Sequence, residues 1–189
     1  MRMLSLDLID GQKAKDWPIC SDTGAPPAIE WLPVDAAAIT LGKKASDDTY
    51  GWDNEYGSEE HTVDGFKVST TLISNQDFMG FVEAGGYTEQ KYWTKEGRQW
   101  LAFTQAKHPR FWRATLNGKF LHRNLFTEMP LPLDWPVEVN YLEAKAYCNW
   151  QAERSGKPVR LPTEAEWQLV RDSQLGVGEA ASGNINLEQ

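Results

Sequence analysis

The chain has 189 residues, 41% of them apolar and 24% charged, a composition ordinary for a soluble globular protein and a length that suits one domain with a real core or part of a larger one. Its formal net charge is −8 and it contains no basic run, which argues against nucleic acid as a partner, because phosphate neutralisation needs clustered Lys and Arg. No stretch approaches the roughly 18 consecutive apolar residues of a membrane-spanning helix, and the opening MRMLSLDLIDGQKAKDW carries acids where a secretory leader needs an apolar run, so the expected address is cytoplasmic.

Nine tryptophans point to a core or clefts built from large rings rather than aliphatic layers. Residues 1–29 are polar, with Gly11, Gly24 and Pro26-Pro27, and read as an N-terminal arm or linker. From Glu30 the pattern changes. EWLPVDAAAITLG alternates Ile39 and Leu41 before Gly42, which suits a strand ending in a turn. SDDTYGWDNEYGSEEH then places six carboxylates between Asp47 and Glu60, with three aromatics. Its spacing does not match an EF-hand calcium loop, so it reads as a solvated loop with aromatic anchors. HTVDGFKVST predicts a second strand, with a turn at Asp64-Gly65.

SNQDFMGFVEAGGY predicts a helix capped by Ser74 with Asp77 three residues on, ended by Gly85-Gly86. TKEGRQWLAFTQ predicts another, capped by Thr94. HPRFWRATLNGKFLHRNL reads as a hairpin turning at Asn117-Gly118. The proline-rich MPLPLDWP reads as a crossing into VEVNYLEAKAYCNWQAERSG. There Asn140 and Glu143 form a cap, Tyr141, Ala144 and Cys148 share a stripe, and Gly156 stops the helix. In PVRLPTEAEWQLV, Thr163 and Glu166 can form a capping box, Pro162 bars a backward extension, and Trp167 and Val170 fall on one face. Four short helices, a few strands and much irregular chain make this an α+β protein.

Residue chemistry alone shows no self-contained active site. His61, His108 and His122 have no helical pairing that would present two to a metal, and a triad of two histidines and a carboxylate could come only from distant segments. His108, just before Pro109, reads as a packing or hydrogen-bonding residue at a segment boundary. No nucleophile elbow, phosphate loop or dinucleotide fingerprint is present. Cys20 and Cys148 are expected to be reduced, and Cys148, between Tyr147 and Trp150, reads as buried rather than nucleophilic.

One long segment is more specific. PVEVNYLEAKAYCNWQAERSGKPVRLPTEAEW resembles the formylglycine-generating-enzyme (sulfatase-modifying factor) family. The likeness rests on Pro136-Val137, Ala146 to Trp150, and Arg160 to Trp167. LPVDAAAITLG resembles the family's opening strand, with Asp35-Ala36 where glycine is common, and HTVDGFKVSTTLISNQDFMGFVEAGGY its next strand and first helix. Within the family, YGWDNEYG, FVEAGGY followed by KYWTKEGRQWL, HPRFW and LDWPVEVNYLEAKAYCNW ending in GNINLE are most similar to the central domain of ovothiol-pathway 5-histidylcysteine sulfoxide synthases. The ergothioneine-pathway synthases are close relatives of these.

The resemblance implies a C-type-lectin-related α+β fold over residues 30–189, incomplete at the C-terminus. It implies a non-haem iron(II), dioxygen-dependent oxidoreductase joining cysteine to histidine. That iron would be held by a His-x-x-x-His pattern of a separate helical domain, not by this segment, so no catalytic or cofactor-binding residue is assigned here. A calcium site near an Asn-Ile pair carries over to Asn184 and Ile185, and Cys148 matches a structural position. The missing iron domain and C-terminal half would be partners, and the chain alone is expected to be inactive and marginally stable. Two other readings are a formylglycine-generating enzyme and a non-catalytic ligand-binding module of the same fold.

Overall fold

The computed structural model describes residues 24–26, 28–48, 50–125 and 127–175. Cys20, Asn184, Ile185 and most of the expected N-terminal arm lie outside the described residues. Tertiary contacts divide the chain into two units. One is Thr71–Leu161 with the residues before Glu30, and the other is Glu30–Thr70 with the residues from Pro162 onward.

The second unit is built on an antiparallel ribbon. β1 (Trp31–Val34) pairs with β4 (Phe66–Ser69), and β2 (Ala37–Leu41) pairs with β3 (Glu59–Val63). The register is continuous: Val34 lies opposite Phe66 and Ala37 opposite Val63. Asp64-Gly65 is therefore not a reversal, as its turn chemistry predicts, but a lapse in one ladder opposite Asp35-Ala36. The reversal lies in the long acidic segment between β2 and β3. A helix, α4 (Glu164–Leu175), packs on β2 and β3. Its capping box forms as expected: Glu166 N–H donates to Thr163 Oγ1 at 3.2 Å, and Thr163 N–H donates to Glu166 Oε2 at 2.7 Å. Trp167 departs from expectation. It is 55% exposed beneath the Arg171 guanidinium, because Ala165 and Glu166 turn inward instead.

In the first unit, α1 (Asn75–Glu83) starts at Ser74, whose hydroxyl accepts from Asp77 N–H at 3.1 Å. The proline-rich segment completes that cap. Its carbonyls at Pro132, Leu133 and Trp135 accept from the helix start. Asn75 N–H donates to Trp135 O at 2.8 Å, Gln76 N–H to Leu133 O at 3.0 Å, and Asn75 Nδ2 to Pro132 O at 2.7 Å. Two orphan donors of the helix start are thus satisfied by a distant stretch.

The helix α2 (Lys95–Thr104) is capped by Thr94 and ends at Gln105, which adopts φ 53 in the left-handed region. The predicted hairpin appears as β5 (Trp112–Ala114) and β6 (Phe120–Arg123), and Glu128–Pro130 adds β7 as a third strand that the sequence reading missed. In α3 (Tyr141–Ser155) Asn140 and Glu143 cap each other as expected, but the stripe is different. Tyr141 is 64% exposed, and Glu143, Ala146, Tyr147 and Trp150 face inward at helical spacing. A buried glutamate heading that stripe hides it from a hydrophobicity pattern.

This unit's core is aromatic. Phe78, Phe81, Tyr87, Tyr92, Trp93, Trp112, Tyr147 and Trp150 cluster around Ala146. Phe78 stacks on Tyr147 with centroids 5.3 Å apart, and Phe81 meets Phe78 edge-on at 5.3 Å, the offset and T-shaped geometries that ring quadrupoles favour.

Candidate functional site

The three histidines do different things. His61 lies on β3 opposite Ile39, with Nε2 3.3 Å from Glu59 Oε1. His108 Nδ1 is 3.1 Å from the Pro109 carbonyl and its ring meets Phe120 edge-on, the boundary role expected of it. His122 is buried on β6 against Trp135. Among the described residues no three His, Cys, Asp or Glu side chains gather into a group that could hold a metal ion. Cys148 is buried, and burial raises its thiol pKa, only partly opposed by the charge of Lys145, so it has the character of a packing residue and not of a nucleophile.

The structure brings together a different set of groups in the first unit. The Tyr87 hydroxyl donates to Glu143 Oε1 at 2.5 Å, and Glu143 Oε2 accepts from the Asn140 N–H at 2.9 Å. Glu143 is 3% exposed and Tyr87 7%. Burial raises the carboxyl of Glu143 above its usual value. Tyr87's hydroxyl, the Asn140 N–H and the field of His108 pull it back. Burial, then the Glu143 charge and the hydrogen bond to it, hold the Tyr87 phenol protonated far above the ordinary range.

Tyr87 also lines a cleft of about 420 Å³, together with residues from the C-terminal ends of α1 and α2. Val82, Leu101 and Ala106 supply apolar surface there, with Thr88, Gln105 and Lys107 at the rim. Thr88 Oγ1 donates to Gly85 O at 2.8 Å, and Gln105 Nε2 donates one of its two N–H groups to Ala102 O at 2.7 Å. The lining of the cleft thus combines apolar side chains with the Gln105 amide and the Lys107 ammonium. Sequence reading found Glu143 only as a cap and gave Tyr87 no role. Their pairing spans 56 residues, and no local pattern reports it.

Residues 30–173 match the family described as Sulfatase-modifying factor enzyme 1-like domain. The chain belongs to this family. The four helices and small antiparallel sheets among the described residues are the α+β architecture expected of such a domain. Among similar proteins, hercynine oxygenase of Mycobacterium tuberculosis is 33% identical over 131 residues, which cover 69% of this chain and 29% of that protein. Ergothioneine biosynthesis protein 1 of Schizosaccharomyces pombe is 27% identical over 128 residues, 67% of this chain and 14% of the relative. Formylglycine-generating enzyme of Mus musculus is 32% identical over 162 residues, 72% of this chain and 38% of the relative. The chain therefore spans well under half the length of each of these proteins. No helix among the described residues is long and apolar enough to cross a membrane.

Proposed function

We propose that this domain is the sulfatase-modifying-factor-type part of a non-haem iron(II), dioxygen-dependent sulfoxide synthase of the cytoplasm that joins cysteine to histidine, as in ovothiol biosynthesis. The observation that carries this reading is the 33% identity to a hercynine oxygenase across 131 residues, supported by the ovothiol-type segments YGWDNEYG and LDWPVEVNYLEAKAYCNW. The described residues do not fit an iron site, since no ligand group assembles among them. In this reading the metal and the oxygen chemistry belong to another part of the complete enzyme. This segment contributes a rigid aromatic scaffold that shapes and supports the substrate site. A calcium ion at Asn184 and Ile185 belongs to the same reading.

The likeness to the mouse formylglycine-generating enzyme favours a second reading, oxidation of a protein cysteine. One assay separates the two. The complete gene product is incubated with iron(II), oxygen, cysteine and either histidine or hercynine, and the products are followed by mass spectrometry. Sulfoxide formed from histidine supports the proposal. Turnover of hercynine alone moves the enzyme to the ergothioneine-type reaction. Conversion of a sulfatase-derived cysteine peptide, with neither imidazole consumed, establishes the second reading. Inactivity on all of these leaves a binding module of the same fold.

A further inference from the structure

The cleft beside Tyr87 is lined by one charged side chain, and that charge has no partner. Lys107 makes no hydrogen bond or ion pair among the described residues. The backbone carbonyls of the neighbouring helix ends do not supply one. Val82 O accepts from the Gly85 N–H at 3.1 Å, and Gly85 O accepts from the N–H groups of Thr88 and Glu89 at 2.8 and 3.0 Å. Leu101 O accepts from the Gln105 N–H at 2.8 Å. Around the ammonium, Val82, Leu101 and Ala106 pack on the aromatic core and also line the cleft, so its apolar surface is held from behind.

Gln105 adds a second signal. Among the described residues it is the one non-glycine with positive φ. Glycine adopts that conformation at less cost and would end α2 equally well, but it would remove the amide from the cleft. One amide N–H caps Ala102 O, and the second is left for another acceptor. Residues held in sparsely populated backbone regions cluster at ligand clamps. A volume of about 420 Å³ lies within the range of small-molecule sites. The charge then selects the ligand. A monoanion balances a single ammonium, a phosphate dianion exceeds it, and a zwitterion brings an ammonium for which the lining holds no carboxylate. The apolar surface requires an apolar body behind the anionic head.

We propose that this cleft binds a small carboxylic acid with an apolar, ring-sized body, its carboxylate accepting from Lys107 Nζ and from the second Gln105 N–H. The inference is independent of the sulfoxide-synthase reading, and its test reads binding, not turnover. Amide spectra of the isotope-labelled full chain are titrated with 3-phenylpropionate at about 0.15 M salt, where long-range attraction is largely screened. Saturable shifts at Gly85, Thr88, Gln105 and Lys107 are expected at millimolar concentration. The uncharged 3-phenylpropanol binds about fivefold more weakly, and 3-phenylpropylamine more weakly still. Lys107→Gln brings the acid down to the level of the alcohol and leaves the alcohol unchanged, whereas Lys107→Arg keeps the preference. Lys119→Gln, at an exposed cation on the β5–β6 hairpin, has no effect. Lys107 and Lys119 are both exposed, so every variant keeps the wild-type melting curve. The proposal is overturned if the shifts fail to saturate or fall elsewhere, if the alcohol binds as tightly as the acid, or if Lys107→Gln retains full affinity for the acid. Tighter binding of the amine assigns the cleft to cations and also overturns it.

Discussion

Glu143 both caps α3 and accepts the phenol of Tyr87, so one buried carboxylate ties a helix start to the chain between α1 and α2. Tyr87→Phe preserves the ring packing and removes the donor, leaving a buried carboxylate oxygen unsatisfied. Urea unfolding near neutral pH is expected to show a loss of about 1–3 kcal/mol. The same substitution has a pH signature. Tyr87 is raised above the ordinary phenol value of 10.0, and Tyr147 is pushed up to about 12, mainly by burial and then by the Asp77 charge. Groups with a raised folded-state pKa contribute stability that is complete below the unfolded value and is lost as pH rises beyond it. Wild type therefore loses stability steadily above pH 10, and Tyr87→Phe loses it with a shallower slope. Equal slopes would show that Tyr87 ionises normally in the folded state. The capping half of Glu143 is legible in the sequence, because Asn-x-x-Glu is a local pattern. The tyrosine half is not, because hydrogen bonds between distant segments leave no periodic trace.

At the scale of elements, helix starts are the most legible features. Ser74, Thr94, Asn140 and Thr163 all cap where their spacing predicts, since each cap is a bond between residues three apart. Helix faces are less legible. Trp167 and Tyr141 are outward and Glu143 inward, against their hydrophobicity, because a face is decided by what it packs on. The glycine pair after α1 shows the same division. Its presence marks a helix end, but the need for Gly86 is tertiary: a Cβ there would lie 2.3 Å from the Phe81 ring, which is 0% exposed and has nowhere to retreat. Gly86→Ala is expected to cost about 1–3 kcal/mol through overpacking, read from the urea midpoint. A neutral result would mean that the backbone shifts to open that contact.

Across the whole molecule the buried aromatic cluster belongs to the first unit, whereas Val63 and Ala165 are the buried apolar side chains of the second among the described residues. Local opening is easiest where few apolar contacts must be broken. Amide hydrogen exchange should therefore leave α1 and α3 the slowest segments, with β1 to β4 exchanging well before them. Uniform protection across both units would contradict this. The aromatic character of that core was visible in the tryptophan count, but its confinement to one of two units was not, because contact partition depends on how distant segments meet.

The sequence by itself determined the caps, the hairpin at Asn117-Gly118, the α+β class and the family, because each is written in short spacings or in one long continuous motif. Only the tertiary structure decided the continuous register of the ribbon, the third strand at Glu128–Pro130, the inward stripe of α3, the Tyr87–Glu143 pair and the outward rings of Tyr50 and Trp52. The reason is physical. A cap or turn is satisfied by its own neighbours, whereas burial and pairing are settled by competition among segments far apart in the chain, and a side chain's polarity states a preference that the best overall packing can override.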